Sequence, residues 1–467
     1  METTILLGGK GLENRIINKL KAIVGQEDVL IHLEDRLCYS YDGTFQRGIP
    51  EAVVFPGSTG EVAEIIKLAN MEKFSVFPRG AGTGLSGGSI PQSFGIALVL
   101  TRMNKIKEIS KEDLLAVVEP GVITGQFHQE VEKMGLFYPP DPASLKTCTM
   151  GGNVAENAGG PRAFKYGVTK DYVLGLEVVT PTGEIMRTGG KTVKNVTGYD
   201  LTRLLTGSEG TLGIITEITV RLLPRPKDKK TALVIFDKLE DAARTVTAII
   251  YEGVIPATLE LMDRVTINCV EKQAHLGLPL DCEAFLLMEV DGSSSQVAED
   301  IQIIETVCKN NDCRRIEIAS LPEEREKLWT ARRAVSSAIV QLKPTKISED
   351  ATVPRSKIPE MVKCLREISA KYRLHLPVFG HAGDGNLHPN ILADKNDQEE
   401  MERVEKAVGE IFKAALDLGG TLSGEHGIGV MKKPYLEWEL GEAGLNYLKA
   451  IKKAVDPNNI LNPGKIF

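Results

Sequence analysis

The sequence contains no C-x-x-C pair, and its seven cysteines, at positions 38, 148, 269, 282, 308, 313 and 364, are odd in number. This argues against a disulfide framework and against the usual iron–sulfur ligand runs, and it suits a reducing cytosol. No stretch approaches the roughly 20 apolar residues of a membrane-spanning helix, so no transmembrane segment is expected. The opening METTILLGGKGLENRIINKL lacks the basic start and long apolar run of a secretory signal. A cytoplasmic protein is therefore expected. A basic surplus is also missing. The net charge of −7 argues against nucleic-acid binding, and the clusters at 225–230 and Lys432-Lys433 read as solvated faces. Walker A sequences, internal repeats and low-complexity tracts are absent as well.

What remains has the make-up of a soluble enzyme, with 42% hydrophobic and 25% charged residues. At 467 residues the chain is too long for one ordinary core, so two or more domains are expected. Apolar spacing predicts helices over 12–24 and Glu61–Ala69. From about residue 52, short β-rich runs alternate with Gly/Pro punctuation: AVVFP, FSVFPRG, IALVL and LLAVVEPG, then YVLGLEVVTPTG and LGIITEITVRLLP. The polar, Pro-bearing segment 224–230 reads as a boundary. Beyond it come strand-like 231–236, helical 239–253, strand-like 284–292 and helical 295–311, an order that suits a separate α+β domain with an antiparallel sheet. Residues 399–467 read as mostly helical.

Most of the chemistry-bearing glycines fall in three segments. The first is Pro78-Arg79-Gly80-Ala81-Gly82-Thr83-Gly84-Leu85-Ser86-Gly87-Gly88. Glycine lets backbone amides approach an anion without Cβ interference, and a pyrophosphate is the natural guest. Alone, such a run could be a surface turn. A second segment gathers Gly151, Gly152, Asn153, Asn157, Gly159 and Gly160, and a third, TGSEGTLGII, occupies 206–215. Three together point to a large, extended diphosphate cofactor.

The chain has only seven histidines, yet two fall in the segment FGHAGDGNLHPN, as His381 and His388. Ser423-Gly424-Glu425-His426-Gly427 supplies a Glu-His pair. Imidazole nitrogen with carboxylate oxygen suits Zn, Fe or Mn and leaves positions open for substrate. One such histidine in a Gly-rich loop would be structural; two with a Glu-His pair favour function.

In their order, PRGAGTGLSGG, TMGGNVAENAGG and SEGTLGIITE resemble the FAD-binding domain of the vanillyl-alcohol-oxidase type. Together with the histidine motifs and Trp329-Thr330-Ala331-Arg332, they make the chain resemble the FAD-linked D-2-hydroxyacid dehydrogenase family from about residue 40 to the C-terminus. That family holds D-lactate dehydrogenases, the flavin subunit of glycolate oxidase and D-2-hydroxyglutarate dehydrogenase.

The resemblance implies an α+β fold. Its parts would be an N-terminal helical segment (1–45), a FAD-binding domain (46–225), a substrate or cap domain with an antiparallel sheet (226–410) and a helical C-terminal segment returning to the flavin (411–467). It places Pro78, Arg79, Gly80, Ala81, Gly82, Thr83, Gly84 and Leu85 at the pyrophosphate. It places Gly151, Gly152, Asn153, Asn157, Gly160, Glu209, Gly210, Gly213, Ile214 and Ile215 along the rest of FAD, with Asn462 near the flavin ring. Relatives with covalent flavin often carry His where Thr83 stands, so FAD is expected to be non-covalent. Cys148 reads as a buried structural thiol.

By the same resemblance a divalent metal is held by His381, His388 and Glu425, and His426 is the general base. Arg332 anchors the substrate carboxylate through its planar fork. Asn390 and Ser336 contact substrate, while Arg333 and Lys346 read as surface charges. The expected reaction is oxidation of a D-2-hydroxy acid, D-lactate being favoured over glycolate and 2-hydroxyglutarate. Electrons would pass to an external acceptor, an electron-transfer flavoprotein or an iron–sulfur partner subunit. Two further readings are a non-catalytic flavin-binding relay subunit and a net non-redox flavoenzyme like ether-lipid synthase.

Overall fold

The computed structural model describes residues 11–319 and 321–467. The chain forms two compact units. The first takes in the chain up to Ala158, Val168–Arg225 and Glu425–Phe467; the second takes in Gly159–Gly167 and Pro226–Gly424.

The first unit carries two main sheets. One has four strands in the order Val29–Leu30, Ala52–Val54, Gly95–Val99 and Ser75–Arg79. Its last three strands run parallel. Every residue of Gly95–Val99 is buried, as parallel strands covered on both faces require. The helix Thr59–Glu72 links the second and last of these strands. Ser58 caps it by accepting the Glu61 N–H, and Val62, Ile65, Ile66 and Ala69 face the core. The opening helix Asn14–Val24 adds Ile16, Leu20 and Val24 to the same cluster. Near the end of the chain, Ile460 and Asn462 bracket Val76: Val76 donates its N–H to the Ile460 carbonyl, and Asn462 donates its N–H to the Val76 carbonyl. The C-terminal residues thus lie along the strand that leads into the first glycine segment.

The second sheet is antiparallel and five-stranded, in the order Ile106–Ser110, Leu115–Val118, Ile214–Arg221, Val173–Val179 and Ile185–Gly189. Its middle strand, Ile214–Arg221, begins where the third glycine segment ends.

The second unit is built on an antiparallel sheet with the path Cys313–Ala319, Asp228–Phe236, Ala284–Gly292, Thr258–Asp263, Val378–His381, Asn386–Ala393 and Thr345–Ser348. The helices Leu239–Tyr251 and Ser294–Asn310 lie within about two residues of their sequence expectation. A long helix, Pro322–Ile339, buries Ala331, Arg332, Val335, Ala338 and Ile339. Proline at its first position suits an N-terminus whose N–H groups have no intrahelical partner.

Candidate active site

Within the first unit the three glycine segments come together. A Cβ on Gly80 would sit 2.3 Å from Thr149 Oγ1, one on Gly84 3.2 Å from Glu156 Oε1, and one on Gly210 2.3 Å from Pro78 Cγ. Gly82 and Gly87 hold left-handed backbone at φ +71° and +78°, which a side chain would strain. Thr149 caps the short helix Met150–Glu156 by accepting the Gly152 N–H. The carboxamide of Asn462 then ties two of the segments, donating from Nδ2 to the carbonyls of Gly88 (2.9 Å) and Glu209 (2.7 Å). Its Oδ1 is buried without a donor among the described residues, as the polar edge of a cofactor would supply.

Several residues expected along the cofactor also bond to the scaffold. The Arg79 guanidinium donates to the Tyr41 carbonyl (2.6 Å) and to Ser89 Oγ. Asn157 caps its helix in the left-handed conformation, and its Oδ1 accepts the Lys170 N–H. Asn153 Nδ2 donates to Thr124 Oγ1. Ile214 and Ile215 are buried in the strand that begins there. Cys148 is buried and donates to Thr124 Oγ1. Gly160 belongs to the excursion Gly159–Gly167 of the other unit.

The second unit holds a polar cluster inside its sheet. Glu260, fully buried on Thr258–Asp263, accepts from Arg332 Nε at 2.5 Å with one oxygen and from His381 Nδ1 at 2.6 Å with the other. Burial alone would raise the Glu260 carboxyl, but Arg332 and His381 outweigh it and hold it below the usual carboxylate range. His381 and His388 sit on adjacent strands, their ring centroids 4.9 Å apart. His388 Nδ1 lies 3.3 Å from Asp350 Oδ1, itself fully buried. A carboxylate thus lies near Nδ1 of each imidazole, and at His381 it is hydrogen-bonded, which leaves Nε2 of that ring as a ligand atom. This donor set fits a divalent cation.

Around these groups stand the expected substrate contacts. The Arg332 guanidinium carbon lies 5.0 Å from the Phe379 ring centroid. Asn390 donates to the His388 carbonyl, and its Oδ1 is buried without a donor among the described residues. Ser336, one turn beyond Arg332, is exposed and accepts from Lys346 Nζ at 2.6 Å. Lys346 was expected at the surface; instead it is half-buried, and burial pushes its ammonium group down. Arg333 pairs with Glu326 along its own helix as a surface charge would.

The second unit ends at Gly424, whose N–H donates to Asp350 Oδ2 at 3.1 Å. Glu425 and His426 follow directly in the chain. Sequence reasoning missed Glu260, Asp350 and Glu156. The one available signal for Glu260 was a lone carboxylate inside the apolar run TLELM.

Residues 50–189 match the family described as FAD binding domain, and residues 225–466 match that described as FAD linked oxidases, C-terminal domain. The glycolate oxidase subunit GlcD of Bacillus subtilis is 52% identical, over 92% of each chain. The chain belongs to the FAD-linked D-2-hydroxyacid dehydrogenase family. Another relative in this family, the D-lactate dehydrogenase of Anaerostipes hadrus, is 39% identical over 97% of each chain. A crystal structure of p-cresol methylhydroxylase, 20% identical, superposes with a TM-score of 0.81 over 97% of this chain and 96% of that one. That likeness establishes the expected vanillyl-alcohol-oxidase-type α+β fold, and the matched domain makes FAD the cofactor.

Proposed function

We propose that this flavoprotein oxidises a small D-2-hydroxy acid to the 2-oxo acid, with D-lactate as the favoured substrate. The observation that carries the reading is Glu260, which joins a carboxylate-binding arginine to a metal-type histidine through one buried side chain. No hydrogen bond within the described residues engages the terminal nitrogens of Arg332, so they are available for a bidentate hold on the substrate carboxylate. Asn390 and the Ser336–Lys346 pair would line the same anion.

His381, His388 and Glu425 would hold a divalent cation, Zn, Fe or Mn, whose Lewis acidity stabilises a developing alkoxide. FAD supplies the hydride acceptor. His426 takes the proton from the 2-hydroxyl; a ligated imidazole has already committed its lone pair, which is why the base is a separate histidine. Thr83 leaves the flavin without a histidine tether, so FAD is held non-covalently.

A non-catalytic relay subunit would need only the glycine cradle, and the buried set around Glu260 counts against it. Glycolate is the second substrate reading, favoured by the name of the relative from Bacillus subtilis. Among the described residues no helix is long and apolar enough to cross a membrane. No iron–sulfur ligand run is apparent in the sequence either, so electrons would leave to an electron-transfer flavoprotein or an iron–sulfur partner subunit. Anaerobic bleaching of the flavin by D-lactate, glycolate and D-2-hydroxyglutarate, each against its L-counterpart where one exists, tests the reading. An unbleached flavin across that panel would overturn it.

A further inference from the structure

Glu209 was expected simply to line the cofactor. Its environment gives it another task. The residue is buried and holds a left-handed backbone at φ +52°, a conformation uncommon for a side-chain-bearing residue. Such strain persists only when the surroundings over-determine it, and here they do. Its N–H donates to the Ala155 carbonyl at 2.8 Å, and its carbonyl accepts from Asn462 Nδ2 at 2.7 Å. Its carboxylate accepts the N–H of Ile428 on one oxygen and of Gly429 on the other, both at 2.7 Å.

Those two amides belong to the turn that directly follows Glu425 and His426. The turn is shaped around carboxylates. Gly427 has φ +81°, and a Cβ there would sit 2.4 Å from Glu156 Oε2 and 3.1 Å from Glu209 Oε1. A Cβ on Gly429 would meet the Ser86 carbonyl at 2.1 Å. Ser86 accepts at that carbonyl from the N–H groups of Val430 and Met431, and its hydroxyl donates to Glu156 Oε1. On balance burial pushes the Glu209 carboxyl up, against the opposing pull of the two amide donors, Lys465 and Lys432. An acceptor-only carboxylate is the form that satisfies two converging N–H donors.

We propose that Glu209 is a positioning residue that fastens the turn bearing Glu425 and His426 to the flavin cradle, so that one side chain couples cofactor seating to placement of the base. Through its backbone Glu209 meets Ala155 of the second glycine segment and the C-terminal Asn462, and through its carboxylate it meets the turn at Ile428 and Gly429. The proposal rests on the reading of His426 as the base, but its main readout needs no substrate.

The test is Glu209→Gln in the FAD-loaded protein. Glutamine offers one oxygen and one N–H₂ to two donors, so one amide loses its acceptor and faces a donor instead. Hydrogen–deuterium exchange should accelerate at Ile428 and Gly429 and stay slow at Val430 and Met431, which Ser86 holds. FAD content should be retained. Misplacing the base by about 1 Å should cost about a hundredfold in kcat, with KM little changed. Wild-type protection at Ile428 and Gly429, or a wild-type rate of flavin reduction, would overturn the proposal. If Glu209→Gln is isolated without flavin, Glu209→Asp decides. It keeps both oxygens and the charge but falls short of the amides, and the same exchange and kcat losses are expected with FAD bound; a wild-type response overturns the proposal. Failure of the wild-type protein to be bleached by any 2-hydroxy acid would count against the substrate reading alone and leave the exchange result standing.

Discussion

Arg332 Nε and Glu260 Oε2 lie 2.5 Å apart in the interior of the second unit, and the carboxylate is shared with His381 Nδ1. Removing the charge of Glu260 leaves a guanidinium buried without its counter-ion, which costs about 3–5 kcal/mol where such pairs have been broken. Glu260→Gln should therefore lower the unfolding free energy markedly, and chemical denaturation measures it. The pH dependence has a definite sign. Because the folded carboxyl lies below its ordinary value, the stabilisation is present above the usual glutamate range and is lost as pH falls through the folded value. The metal-free wild type should lose stability on acidification over that window, and Glu260→Gln should show a flatter profile.

The glycine segments were legible because backbone chemistry is written in residue type: a side chain at Gly80 would collide with Thr149, and one at Gly210 would meet Pro78 on a left-handed backbone. Strands such as Gly95–Val99 and Ala284–Gly292 were legible for a similar reason, since their apolar runs have no other use. Glu260 and Asp350 were not. Each is a single carboxylate whose meaning depends on a partner some 40 to 120 residues away, His388 or His381, and local pattern carries no such information. The excursion Gly159–Gly167 into the second unit was hidden too, because no shift in composition marks its ends. Lys346 was misread because a lone lysine looks solvated until its strand is placed beside the Arg332 helix, where Ser336 accepts from it.

Metal removal tests the proposed cation separately from FAD. The glycine segments that meet at Gly80, Gly84 and Gly210 lie in the first unit, whereas His381 and His388 lie in the second. Chelation should leave the visible flavin spectrum intact while abolishing bleaching by D-lactate, and Zn, Mn or Fe should restore it. His388→Ala should reproduce the chelated state without recovery. Full bleaching by a chelated, metal-analysed sample would remove the cation from the reaction.

Lys346 gives a prediction about substrate affinity. A hydrogen bond to a charged group contributes about 1.5–3 kcal/mol, so Lys346→Met should raise KM for 2-hydroxy acids roughly tenfold or more. Burial lowers the folded ammonium pKa, so the charge is lost earlier than usual as pH rises. In the wild type KM should therefore climb on the alkaline side, and in Lys346→Met that climb should vanish. Steady-state profiles across the alkaline range decide the matter, and a wild-type KM in the variant would restore Lys346 to the surface role.

Lys465 carries the last pH prediction. It is buried at the C-terminus, donates to the Ile90 carbonyl, and is pushed down to about 7 by burial, with Asp42 and Glu209 opposing. A lysine with a depressed folded value binds fewer protons in the native state than in the unfolded chain between about 7 and its ordinary 10.5. Stability should therefore rise with pH across that window, opposite in origin to the acid loss at Glu260. Below about 7 the charged form is kept in the fold at a constant penalty. Lys465→Met should remove the alkaline gain and narrow the difference between denaturation midpoints on the two sides of neutrality. Because Ile90 lies two residues beyond the first glycine segment, the same variant should also bind FAD more weakly. Equal pH profiles for wild type and variant would mean that Lys465 stays charged through water or partners that the buried geometry does not reveal.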